Sequence, residues 1–200
     1  PKSIYKLPEN IEQDEAALIE PFTVGLHAVL LTEIKPEDRV LILGGGIIGL
    51  SISEWVRLYG ASEITITEMN KKKIKAIKSF GIVNHVVEAN APDVDEQLQF
   101  ISGGGYDVVF DCAGFESAIA TGIKALKPEF KKKFTAVALP HGDIKVDYQK
   151  IVLREIILKG SKGHTFDEFK VVARSIGDKK INAKKYITTR IKFSELQAGF

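Results

Sequence analysis

Six short runs rich in valine and isoleucine, spaced along 200 residues with amphipathic stretches between them, constrain this fold more than any other feature. The runs are RVLILG at 39–44, EITITE at 63–68, HVVEA at 85–89, DVVFD at 107–111, FTAVAL at 134–139 and EIILKG at 155–160. The segments between them, notably LSISEWVRLYGA, KKKIKAIKSFG, DVDEQLQFISGGG and ESAIATGIKALKP, place apolar residues three and four apart, the period of a helix with one buried face. Strands as continuously apolar as these are covered on both sides, which suits a parallel sheet between two helical layers. Right-handed crossovers then predict an α/β, Rossmann-type, doubly wound six-stranded parallel sheet in the order 3-2-1-4-5-6.

Ahead of the first strand, IEQDEAALIEPFTVGLHAVLLTEI reads as two helical pieces divided near Pro21, because proline lacks a donor and disfavours helix in Glu20. After the sixth strand, TFDEFKVVARSIGDKK reads as a further amphipathic helix, and FSELQAGF starts one more. SGGGYDVV at 102–109 precedes a strand and is expected to end a helix.

Composition narrows the functional classes. A hydrophobic content of 44% supports one substantial core, and the uninterrupted apolar stretches are short, so no bilayer-spanning segment and no membrane partner are expected. PKSIYKLPEN carries no signal-peptide pattern. The lone Cys112 cannot form an internal disulfide, which suits a reducing, cytoplasmic compartment, and with His27, His85, His141 and His164 scattered it forms no structural zinc motif. The net charge is only +2, and the lysines at 71–73 and 131–133 read as solvated faces, so nucleic acid is not an expected partner.

The loop GGGIIG follows the first strand directly. Gly44, Gly46 and Gly49 match G-x-G-x-x-G: the first makes the tight turn, the second admits a pyrophosphate, and the third lets the helix pack on the sheet. The helix beginning near Ile47 would aim its free amides and positive dipole end at the phosphates. Glu68, at the end of the second strand and 19 residues beyond Gly49, is placed to accept hydrogen bonds from an adenosine ribose, and its charge favours NAD(H) over a 2′-phosphorylated cofactor. Lys71–Lys73 could instead reach a phosphate. The plainer alternatives are a ligand-free turn for the loop and an exposed strand-end acid for Glu68. Cys112, Ala113 and Gly114 follow the fourth strand at its carboxyl end, where the chain can pass close to a cofactor; Cys112 has no base near it in sequence and reads as a buried thiol.

LPENIEQDEAALIEPFTVGLHAV, followed by DRVLILGGGIIGL, ASEITITEMN, YDVVFDCAG, ALKP and FTAVALPHGD, closely resembles the cofactor domain of the medium-chain, zinc-containing dehydrogenases, in the sorbitol, butanediol and threonine dehydrogenase branch. The resemblance covers essentially the whole chain. It implies a parent enzyme that moves hydride between a secondary alcohol or polyol and NAD at a zinc ion, most of whose ligands belong to an N-terminal domain absent from these residues. Residues 1–34 would then be leader helices toward that domain, 35–165 the NAD-binding domain, and 166–200 a truncated helical segment returning to it, and this half alone would be inactive.

By the same resemblance Glu20 matches a glutamate placed at the metal, as ligand or as partner of its water, although a helix-end acid open to solvent is the plainer reading. Val24 would flank the nicotinamide, Ile48 would support it from the loop, and Leu139, in the ALP turn, would touch the cofactor. His27 and His141 lack nearby partners in sequence and read as structural or surface residues. Relatives pair cofactor domains near the last strand, so a homo-oligomer, dimer or tetramer, is expected. The rivals are a zinc-free, NADPH-dependent reductase of the same superfamily and a non-catalytic NAD(H)-binding module.

Overall fold

The computed structural model describes residues 4–140 and 142–199. Its sheet has six parallel strands, β1 Arg39–Leu43, β2 Glu63–Glu68, β3 His85–Glu88, β4 Val108–Asp111, β5 Lys133–Ala136 and β6 Ile157–Gly160, in the order β3-β2-β1-β4-β5-β6. The pattern-based order is therefore the observed one. Register is continuous across the sheet, with Leu41 opposite Thr65 of β2 and Val109 of β4.

Alternation along each strand sends side chains into two layers. Val40 and Ile42 of β1 join Ile64, Ile66, Val108 and Phe110 in a core closed by α2 Ile19–Thr32, α3 Ile47–Leu58, α4 Lys71–Phe80 and α8 Phe166–Gly177. On the other side Leu41 and Leu43 pack with Val109 and Phe134 beneath α5 Val94–Ser102 and α6 Glu116–Ala125. Two short helices, α1 Gln13–Ala16 and α7 Tyr148–Leu153, flank these layers, and a final turn forms α9 Leu196–Gly199. Each large side chain such as Phe22 or Trp55, fully or almost fully buried, contributes on the order of 1.5–3 kcal/mol.

Local chemistry moves several boundaries from where pattern alone puts them. The leader breaks at Ala17–Leu18, ahead of Pro21, and Pro21 sits in the first turn of α2, where a missing N–H costs nothing. β5 stops at Ala136 because the amides of Val137 and Ala138 both turn to the Asp111 carbonyl, at 2.9 and 3.0 Å. β6 starts two residues late because Glu155 takes a left-handed turn at φ 47°. α5 ends at Ser102, as the glycine run after it suggested.

The stretch Gln13–Thr32 does have the length and hydropathy of a membrane span, against the expectation that no segment has. Its apolar side is spent inside the fold: Trp55 Nε1 donates to the Phe22 carbonyl at 2.8 Å, and Phe22, Leu26 and Val29 lie in the core that α3 and α8 share.

Candidate functional site

Because β1 lies between β2 and β4, the chain leaves the sheet in opposite directions on its two sides, and the carboxyl ends of these strands border a crevice. A cleft of about 440 Å³ opens there. Gly44, Gly46, Glu68, Cys112 and Ala113 all line it, so five of the residues marked in the sequence come together.

Gly44 makes the turn at φ +99°, a region that L side chains rarely adopt. Its amide donates to Thr67 O at 2.9 Å, while Cys112 N donates to Leu43 O at 2.8 Å, so β2 and β4 hold the loop from both sides. Gly46 caps α3 with extended backbone (φ −74°, ψ 179°), and a Cβ added there would meet nothing within 4 Å. Gly49 is the opposite case: its Cβ would lie 2.1 Å from the Gly44 carbonyl oxygen. The first amides of α3 have no partner within the helix and point toward the open side at Gly46. The loop thus offers N–H groups, a positive dipole end and room, which is what a phosphate group takes up.

Glu68 ends β2 at the edge of the cleft. Its Oε2 accepts from Gly45 N at 3.1 Å, and its Oε1 accepts from Met69 N and Asn70 N at 2.8 and 2.9 Å. The Asn70 side chain then starts α4 by accepting from Lys72 N and Lys73 N. On the β4 side, Asp111 Oδ1 accepts from Ala113 N and Gly114 N, both at 3.0 Å. Burial raises the Asp111 carboxyl above its ordinary value, against the pull of those two amides. Cys112 is half-buried; desolvation, with Asp111 beside it, pushes its thiol up, so the nucleophilic thiolate is not available.

The other marked residues do not line the cleft. Ile47 and Ile48 are half-buried and pack against the core. A Cβ on Gly114 would come within 3.1 Å of Ala138 Cβ, so the 138–139 turn closes over that glycine, leaving Leu139 83% exposed. Val24 is half-buried on α2. Glu20 is exposed in the first turn of α2, with Oε1 3.8 Å from His164 Nε2. Among the described residues no three His, Cys, Asp or Glu side chains come together as a metal site. His27 does have a partner: its Nδ1 lies 3.0 and 3.1 Å from the two carboxylate oxygens of Glu168, joining α2 to α8. His141 lies outside the described residues.

Sequence reasoning missed Met69 and Phe115, both of which line the cleft. Of the three lysines that the sequence leaves open between a solvated face and a phosphate contact, Lys73, in the first turn of α4, is exposed and lines the cleft. Phe115 is 54% exposed directly after the Ala113–Gly114 turn, an aromatic ring left in solvent at a strand's carboxyl end.

Fold and loop together define a Rossmann-type α/β domain. The family model described as zinc-binding dehydrogenase matches residues 48–177, and the chain belongs to that family. It is 32% identical over 195 residues to a sorbitol dehydrogenase of Arabidopsis thaliana, covering 96% of this chain and 53% of that protein. It is 27% identical to D-xylulose reductase of Saccharomyces cerevisiae, covering 98% and 56%. Among solved structures, 2R,3R-butanediol dehydrogenase from Bacillus subtilis superposes with a TM-score of 0.80 at 26% identity, over 90% of this chain and 51% of that one. The chain spans about half the length of the curated relatives it matches.

Proposed function

We propose that this chain is the NAD(H)-binding half of a zinc-dependent dehydrogenase acting on a secondary alcohol or polyol, with residues 1–34 and 166–200 running toward the other half. The observation that carries the reading is the open space at Gly46 beside the N-terminus of α3, with Glu68 at the same cleft. Bound NAD supplies a hydride acceptor at its nicotinamide. This chain's residues bind and orient it: the loop amides from Gly46 onward take the diphosphate, Glu68 accepts from the adenosine ribose, and Met69 and Phe115 give apolar walls to the cleft. Val24, Ile48 and Leu139 shield the nicotinamide side from water, Gly44, Cys112 and Ala113 shape the floor, and Gly49 and Gly114 let the loop and the 138–139 turn pack closely behind it.

Glu20 is offered as one donor to a zinc site completed elsewhere, and no step is routed through it. Pairing of two copies along β6 belongs to the same proposal: it is an edge strand, Leu158 is 50% exposed, and the neighbouring Val152 is 57% exposed. A cytoplasmic location is proposed with it.

Lys73 favours a second reading, a cofactor carrying a 2′-phosphate, because it lines the same cleft as Glu68. Calorimetric titration with NADH and NADPH at one ionic strength decides between them. Tighter NADH binding that is lost in Glu68→Ala supports NAD(H); tighter NADPH binding supports the reductase reading; binding of neither sinks both.

A further inference from the structure

The motif G-x-G-x-x-G leaves its second position free, yet here it is glycine, and the backbone does not require that: Gly45 is not among the residues with positive φ. Space requires it. A Cβ at Gly45 would lie 2.4 Å from Ile77 Cδ1, 3.1 Å from Glu68 Oε2 and 3.3 Å from Glu68 Cβ. The loop after β1 is therefore pressed against β2's terminal carboxylate and against the buried face of α4.

That contact is bonded as well as close. Glu68 Oε2 takes the Gly45 amide at 3.1 Å, while Oε1 takes Met69 N and Asn70 N at 2.8 and 2.9 Å. Both oxygens are thus committed to backbone amides, one on the β1–α3 loop and one on the β2–α4 turn, so a single side chain bridges the two connections that frame the cleft. A shorter aspartate could not span both. A glutamine would offer one acceptor oxygen and turn an NH₂ group toward an N–H.

We propose that Glu68 is a positioning residue for the phosphate site: by holding Gly45 N–H it fixes the glycine loop in its diphosphate-binding shape before any ligand arrives. The inference rests on the reading of that loop as a phosphate site and adds a duty beyond accepting ribose hydroxyls. Gly45 N–H is consumed by the carboxylate, which leaves the amides from Gly46 onward for phosphate oxygens. Acceptance of a ribose hydroxyl uses the one lone-pair site, on Oε2, that the three amides leave free, so one side chain serves both halves of the nucleotide.

The two duties separate with a probe that lacks the hydroxyls. The 200-residue chain, as wild type, Glu68→Ala and Glu68→Gln, is titrated with ADP and with 2′,3′-dideoxy-ADP. In the same samples, amide hydrogen exchange is read at Gly45 and at Ile64 and Ile66 of β2. If Glu68 positions the loop, both variants weaken dideoxy-ADP roughly tenfold, the scale of one charge-assisted hydrogen bond. Gly45 then loses protection in the free protein while Ile64 and Ile66 keep theirs, which excludes unfolding. If Glu68 touches only the ribose, ADP weakens but dideoxy-ADP is unchanged or binds more tightly, since removing a carboxylate relieves repulsion of the diphosphate; that result, or unchanged Gly45 exchange, overturns the proposal. Failure of wild type to bind either probe overturns the phosphate reading itself, and the proposal with it.

Discussion

Gly46→Ala and Gly49→Ala alter the same motif three residues apart and should fail in opposite ways. At Gly49 the new methyl would sit 2.1 Å from the Gly44 carbonyl oxygen, where real side chains keep at least 3.0 Å, and the obstacle is backbone. Helix or loop has to move by about an ångström. Overpacking against a backbone atom costs about 2–3 kcal/mol, the upper part of the usual range, and helix propensity offsets about 1 kcal/mol, for a net loss of about 1–2 kcal/mol. For a chain of this size that lowers Tm by roughly 2–8 °C. At Gly46 the backbone is extended and the methyl meets no protein atom within 4 Å, so folding has no reason to change. Alanine is a poorer N-cap than glycine, and the stiffer unfolded chain compensates, leaving Tm within about 2 °C. The methyl occupies the space assigned to phosphate, however. Losing one or two charge-assisted hydrogen bonds worth about 1.5–3 kcal/mol each weakens NADH by at least about tenfold. Differential scanning fluorimetry and calorimetry on both variants make the check. If Gly46→Ala binds NADH within twofold of wild type, the open space at Gly46 is not where phosphate sits.

Two further outcomes follow from charge. Lys73→Ala should weaken NADPH by about two- to fivefold and leave NADH nearly unchanged, the scale of an exposed ion pair; equal effects on both cofactors in parallel titrations would show that Lys73 does not discriminate. Acid stability should be set by Glu15, Glu54 and Asp107. Burial raises all three, but Lys179 beside Glu15, Lys185, Tyr186 and Arg57 around Glu54, and Lys127 with Lys132 on Asp107 outweigh it and hold each below its ordinary value of 4.5, 4.5 and 3.8. Their contribution is complete above those values and fades as pH falls through the lower folded ones. Tm should therefore drop as pH is taken below about 4.5, and a flat Tm from pH 5 to pH 3 would contradict the assignment.

The sheet was legible because its signal is redundant: six apolar runs and right-handed crossovers admit few orders, and an error of two residues at Glu155 or Val137 leaves the topology standing. The loop was legible because Gly44, Gly46, Gly49 and Glu68 stand at spacings that the β-strand and helix periods convert directly into proximity. Phe115 and Met69 were not, since single apolar and aromatic residues are common on surfaces and only the fold brings the β2–α4 and β4–α6 turns to one cleft. His27 shows the limit most plainly. Its partner, Glu168, is 141 residues away, and nothing local in either segment announces that α2 and α8 lie side by side.

The two strands that flank β1 each end in a carboxylate, and the environments differ in a way that can be measured. Glu68 spreads its charge over three amides from two connections. Asp111 is 1% exposed and receives both of its amides on Oδ1, from the turn it starts. Two amides on one oxygen do not offset that burial, and its carboxyl is held above 3.8. An acid raised on folding binds its proton more tightly in the native state, so it contributes stability at low pH that is lost as pH rises through the raised value. Asparagine keeps the accepting oxygen for Ala113 and Gly114 and carries no charge. Asp111→Asn should therefore leave Tm at pH 7 unchanged or higher, while removing the gain that wild type receives on acidification toward pH 4. Its Tm curve should fall more steeply there than that of wild type, as Glu15, Glu54 and Asp107 lose their pairs without compensation. A variant that loses several degrees at pH 7 would show that the charge itself, not the acceptor oxygen, holds the turn against the glycine loop.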